Sequence, residues 1–249
     1  MEFYNILRNM KNIFFISLVS LFALNIISCA KDEEHSSTSS TSNTSTDNTP
    51  ELFITWGNSG TILTSSDNGT TWDSRTSGTS VTLWGVTYGN NSFVTVGSSG
   101  LILSSSNGTT WESRTSGTSN MLYGVNAVTY GNNTFITVGN SGTILTSSDG
   151  ASWTSRTSGT SNDLKGANYG NSTFVAVGES GTILTSSDGA SWTSRTSGTS
   201  NNLWGVAFAN NTFVVVGTSG TILTSSDGIS WNNRTSGTSV TLWGVTFPQ

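Results

Sequence analysis

Residues 203–234 read LWGVAFANNTFVVVGTSGTILTSSDGISWNNR. Four short apolar or β-branched runs stand between three turn signals. Leu203–Phe208 is the first run, and Asn210-Asn211 follows it as a turn. Thr212–Val216 is the second, closed by a Gly-bounded tight turn at Gly217–Gly220. Thr221–Thr224 is the third, and Asp227-Gly228 is a strong hairpin signal. Ser230–Arg234 is the fourth. Such runs suit strands half or wholly buried on a pleated surface. Four antiparallel strands in about 40 residues form one self-contained sheet.

The same text recurs, with copies beginning at Gly60, Gly100, Gly142, Gly181 and Gly220. The step from Gly142 to Gly181, and again to Gly220, is 39 residues. Phe53, Phe93, Phe135, Phe174 and Phe213 share one position of the second strand. Trp72, Trp111, Trp153, Trp192 and Trp231 share one position opening the fourth. These rings are expected to fill layers between neighbouring sheets. The last copy reaches Gln249 after 30 residues, and the nine residues Glu51–Ser59 precede the first, so the two pieces add up to one unit. The expectation is an all-β chain: a five-bladed β-propeller of four-stranded blades over residues 51–249. Leu242–Phe247 would pair with Leu52–Trp56 to close the ring and remove two sheet edges. An open solenoid is the alternative.

Residues 1–29 read as a targeting segment. Arg8 and Lys11 precede an apolar run from Ile13 to Ile27, too short to span a membrane, and Met10 is an alternative start. The run ends in Ile26-Ile27-Ser28-Cys29, which resembles a bacterial lipobox. That resemblance makes Cys29 the lipidated mature N-terminus and the protein's link to a membrane. Residues 30–50, acidic and then Ser/Thr-rich, read as a disordered tether. The acidic cluster Asp32-Glu33-Glu34 resembles surface-export signals of bacterial lipoproteins. Beyond the leader, Lys31, Lys165 and five arginines face thirteen acids, a net charge of −6. That sign argues against nucleic acid as a partner.

Ser65-Ser66-Asp67-Asn68-Gly69-Thr70-Thr71-Trp72 resembles the Asp-box, Ser-x-Asp-x-Gly-x-x-Trp, of the BNR-repeat propellers. The flanking Gly60–Thr64 and Leu83-x-Gly85-Val86 are most similar to the photosystem II assembly-factor-like propellers and related bacterial lipoproteins. Copies with Asp149, Asp188 and Asp227 are one residue shorter, and the second copy carries Asn107 in place of Asp. In the family the box is a folding device, which implies structural roles for these five residues and for the five Trp above.

Chemistry finds little footing. The one histidine is His35, in the tether, and the one cysteine is Cys29. Histidine-based acid–base work and metal sites are therefore not expected of the repeats, nor is any cofactor or metal. Arg75, Arg114, Arg156, Arg195 and Arg234 occupy one equivalent position in separate units, so they do not converge as a sialidase arginine cluster does. Glu112, Asp163 and Glu179 occur once each, with no partner visible in the text.

Variation among copies points elsewhere. The turn between strands two and three begins with Asn58, Ser98, Asn140, Glu179 or Thr218. The link to the next unit varies at 81–82, 120–121, 162–163, 201–202 and 240–241. Both lie on one face of the expected ring. Each first strand opens Leu-x-Gly, where x is Trp84, Tyr123, Lys165, Trp204 or Trp243. In a closed ring Trp204, Trp243 and Trp84 form an arc at the channel mouth with Lys165 across from them. Trp84, Tyr123, Lys165, Trp204, Trp243 and Glu179 are the candidate ligand-binding residues. The expected function is a monomeric, non-catalytic binding module, lipid-anchored at the bacterial outer membrane and recognising a protein partner through that face. A carbohydrate-binding adhesin is the alternative, and a sialidase-like glycosidase a distant third.

Overall fold

The computed structural model describes residues 52–247 apart from Val125. The leader, the tether, Cys29 and His35 lie outside the described residues. Sheet one holds β1 (Phe53–Trp56), β2 (Ile62–Ser65) and β3 (Asp73–Arg75). Sheet two holds β4 (Leu83–Gly89), β5 (Ser92–Gly97), β6 (Ile102–Ser105) and β7 (Glu112–Arg114). Sheet three holds β8 (Val128–Gly131), β9 (Thr134–Val138), β10 (Ile144–Ser147) and β11 (Thr154–Arg156). Sheet four holds β12 (Leu164–Gly170), β13 (Thr173–Gly178), β14 (Ile183–Ser186) and β15 (Thr193–Arg195). Sheet five holds β16 (Leu203–Ala209), β17 (Thr212–Gly217), β18 (Ile222–Ser225) and β19 (Asn232–Arg234). Each is an antiparallel meander in sequence order, and sheet one alone has three strands.

The turn chemistry produces these meanders. In the β4–β5 connection Asn90 and Asn91 both take positive φ, 43° and 55°, the twist a two-residue hairpin requires. Asn tolerates this region because its short side chain bonds locally. A single 3₁₀ turn joins strands two and three of each four-stranded sheet, and β1 to β2 in sheet one, with Ser59, Ser99, Ser141, Ser180 and Ser219 at φ 54–56°. The Trp of each fourth-strand run stands just before that strand rather than at its first residue.

Sheets pack face to face, and each interface is a separate apolar layer. Val94, Val96 and Ile102 of sheet two meet Val128, Phe135 and Leu145 of sheet three. Ile136, Val138 and Ile144 meet Leu164, Phe174 and Leu184, and Val175, Val177 and Ile183 meet Leu203, Phe213 and Leu223. Ile54 and Ile62 meet Leu83, Leu103 and Trp111. Both faces of the second strands of the interior sheets are thus covered, which explains runs such as Phe174–Val177 with no polar alternation. The Phe and Trp of one unit share a layer in sheets two to five, and the rings of Phe135 and Trp153, and of Phe213 and Trp231, lie 6.4 Å apart. First strands approach at backbone distance. A Cβ on Gly166 would stand 2.9 Å from the Trp204 carbonyl oxygen, and one on Gly205 2.9 Å from that of Trp243. Only Gly fits there.

The expected closure is not formed among the described residues. Sheet one ends at β1, and residues 241–247 carry no strand. That segment instead continues the stack. The Leu242 N–H donates to the Gly217 carbonyl at 2.9 Å, as Leu83 does to Gly57 at 3.0 Å. Val240, Trp243 and Phe247 are left exposed. At the other end, Trp72 is 39% exposed where Trp111 is 9%. A physical reason is visible at the last junction. Gly89, Gly131 and Gly170 lie so close under Tyr130, Tyr169 and Phe208 that a Cβ would stand 2.0–2.2 Å from the ring. Sheet five has Ala209 at that step, so Phe247 cannot settle in the same way.

Candidate functional site

The x of Leu-x-Gly owes its direction to a β-bulge. The β4–β5 register steps from Leu83↔Gly97 to Gly85↔Val96, leaving Trp84 without a partner across the ladder. Lys165 and Trp204 occupy the same bulge in sheets four and five. A bulged residue leaves the pleat's alternation, which re-aims its side chain. In sheet three, Leu122-Tyr123-Gly124 plays this part: Leu122 is buried and its N–H donates to Gly97 O at 3.1 Å. The extra residues of that copy fall after Gly124 and before β8, with Asn126 bridging Gly166.

The five side chains form one continuous row. Trp84 and Tyr123 meet edge-on with centroids 6.1 Å apart. The Lys165 ammonium sits 4.2 Å from the Tyr123 ring centre and 5.3 Å from that of Trp204. Trp204 and Trp243 follow at 4.7 Å. The order along the stack is therefore Trp84, Tyr123, Lys165, Trp204, Trp243. Lys165 lies in the middle of the row with Trp84 and Trp243 at its ends, the order that a closed ring would also give.

In sheets two and four the bulge residue contacts the first residue of the following 3₁₀ turn. Trp84 Nε1 donates to Ser98 Oγ at 3.1 Å. Lys165 Nζ contacts Glu179 Oε1 at 3.1 Å and Asp163 Oδ2 at 3.1 Å. Lys165 is 2% exposed, so its charge is out of water and depends on both carboxylates and on the flanking rings. Asp163 is held in turn by the Tyr123 hydroxyl, which donates to it at 3.2 Å, and by the Ser141 N–H at 2.8 Å. One ammonium between two carboxylates leaves a local excess of one negative charge. In the neighbouring pairs Asn140 Oδ1 and Trp204 Nε1 are buried without a partner. The row thus combines aromatic faces, partly exposed carboxylates and unmet hydrogen-bonding atoms.

Some residues read as variable or isolated have structural partners. Glu112 pairs with Arg114 at 2.6 Å, and Asp163 and Glu179 share Lys165. The link residues Asn120, Asn162 and Asn201 donate to Thr143, Thr182 and Thr221 at 2.8–2.9 Å, tying one sheet to the next. Variation at that link position is therefore packing, whereas variation at the bulge and turn is the row itself.

The Asp turns serve the backbone. Asp149 Oδ1 accepts the N–H groups of Ala151 and Ser152 at 2.8 Å, and Asp188 and Asp227 repeat this. These backbone N–H bonds, that of Ser152 foremost at Asp149, hold the three carboxyls at about 2 against an ordinary 3.8. Asp67, in the longer turn with Asn68 at φ 58°, is also lowered to about 2, chiefly by the Thr71 hydroxyl. Asn107 Oδ1 accepts the Thr109 and Thr110 N–H groups at 2.9 Å, so a neutral oxygen can also fill the role. Trp72, Trp111, Trp153, Trp192 and Trp231 each donate Nε1–H to the carbonyl of the turn's Gly at 3.0–3.2 Å.

No protein-family model and no curated protein matches the chain. Solved structures do. YCF48 bound to D1 peptide is 21% identical, with a TM-score of 0.56 over 76% of this chain and 64% of that one. YCF48 from Cyanidioschyzon merolae is 18% identical, with a TM-score of 0.54 over 75% and 69%. The computationally designed Ika8 protein is 14% identical, with a TM-score of 0.63 over 80% and 63%. The chain spans about two thirds of the length of these proteins. At such identities the likeness shows the fold, a β-propeller, and no more.

Proposed function

We propose that the chain is a non-catalytic binding module that recognises a protein partner through the Trp84–Trp243 row. The observation that carries this reading is the single row in which the bulge residues meet, two of them bonded to residues of the variable turn, Trp84 to Ser98 and Lys165 to Glu179. Both positions vary between copies while the Phe, Trp and Gly residues of the scaffold recur. A rigid frame with one diversified edge is how repeat proteins build recognition surfaces. Aromatic faces beside carboxylates suit a peptide bringing apolar side chains and one cationic or N–H-rich group. That a propeller of the same fold, YCF48, has been captured with a peptide is consistent with this use of the architecture. The reading includes lipid anchoring at Cys29 in a bacterial outer membrane, supported by the lipobox-like text alone.

Selection of displayed peptides on the full chain, followed by titration, tests the proposal. Trp204→Ala should weaken the selected peptides about tenfold or more, the cost of losing a central anchor. Binding unchanged by both Trp204→Ala and Trp84→Ala would refute it. Fatty-acid labelling in cells tests the anchor, and Cys29→Ala should abolish incorporation.

A further inference from the structure

The outer strands carry a second, separate row. Arg75 and Arg114 are neutralised within their own strand, by Asp73 at 2.9 Å and Glu112 at 2.6 Å. In sheets three to five the residue two before the arginine is Thr154, Thr193 or Asn232. Among the described residues no carboxylate reaches Arg156, Arg195 or Arg234. Each is nonetheless held in place, its Nε donating across the ladder to Thr146, Thr185 or Thr224 at 2.8 Å. The guanidinium is thus oriented by one bond, while its terminal N–H groups are not taken up by an ion pair.

Two of these arginines line grooves between sheets. Arg156 lines one of about 550 Å³ and Arg234 one of about 690 Å³. The walls come from equivalent loops, rich in Ser, Thr, Asn and Gly, and Leu145 adds apolar surface beside Arg156. Arg195 stands between them in the identical string Arg-Thr-Ser-Gly-Thr-Ser.

We infer that this row binds an anionic polysaccharide, one acidic group per arginine. A planar fork with free donors fits a carboxylate or sulfate. The hydroxyl- and amide-lined walls fit sugar hydroxyls. Equivalent sites repeated sheet after sheet fit a polymer with repeating charge, which gains affinity by linking weak sites. This surface does not depend on the Trp84–Trp243 row.

Titration of the full chain with polygalacturonate, heparin and neutral dextran tests it. Binding of either acidic glycan, with none of dextran, is the expected result; which of the two binds tells carboxylate from sulfate. Arg156→Gln, Arg195→Gln and Arg234→Gln together should cost at least about tenfold in apparent affinity, and each alone about two- to threefold. Thr154→Asp, Thr193→Asp and Asn232→Asp install the internal pair found in sheets one and two. They should cause the same loss while the melting temperature stays near wild type. Unchanged binding in both triple variants, equal binding of dextran, or equal binding of single-stranded DNA would overturn the assignment.

Discussion

Asn107 shows what the repeated Asp does. It makes the same two backbone bonds as Asp149 without a charge, so the turn asks for an acceptor. Asp149→Asn, Asp188→Asn and Asp227→Asn together should lower the melting temperature at pH 7 less than the three Ala variants, which lose the acceptor as well as the charge. Acid separates the two forms further. These carboxyls are held at about 2 in the folded chain against 3.8 ordinarily. Their stabilisation is present above the ordinary value and is lost as pH falls through the folded one. Melting temperature should therefore drop between about pH 4 and pH 2, and the Asn variants should flatten that drop. The buried Lys165 predicts a different pattern. Removing one carboxylate leaves it the other, while Asp163→Asn with Glu179→Gln leaves it none. The double variant should lose about 3 kcal/mol in denaturant unfolding, more than the two single losses combined. The residue types of this cluster were visible in the text. Their meeting was not, because it depends on a register shift at Lys165 and on the reach from one sheet to the next.

At the level of strands and sheets, most of the fold was legible. Turn chemistry recurs in every copy, and Phe and Trp recur in phase, so local propensity and burial agree five times over. The bulge in Leu-x-Gly was not legible, since a Gly after an aromatic residue says nothing of register by itself. The four interior layers predict that Phe174, fully buried, costs about 3–5 kcal/mol when cut to Ala. The ends of the stack predict an asymmetry. Trp111→Ala should cost about as much as Phe174→Ala, but Trp72→Ala much less, because Trp72 has no preceding sheet against it. Chemical denaturation of the two Trp variants measures this, and equal losses would mean that a sheet covers Trp72.

The whole molecule departs from the sequence-based expectation at one place, the junction that would make a ring. Length arithmetic pointed to closure, yet arithmetic carries no information about curvature or about how Phe247 meets Ala209. Among the described residues β1 pairs only with β2, and the row runs in chain order from Trp84 to Trp243. The separation of β1 from the segment after Leu242 distinguishes an open row from a closed ring. Interior registers such as Val206↔Val215 and Ala167↔Ala176 place Thr55 opposite Val245 if the ring closes. Paired strands would bring those Cα atoms within the 4.4–6.8 Å that a disulfide spans. Thr55→Cys with Val245→Cys, in a Cys29→Ser background under mild oxidation, is the measurement. Free thiols in the monomer are the predicted result, and a quantitative intramolecular disulfide would contradict it.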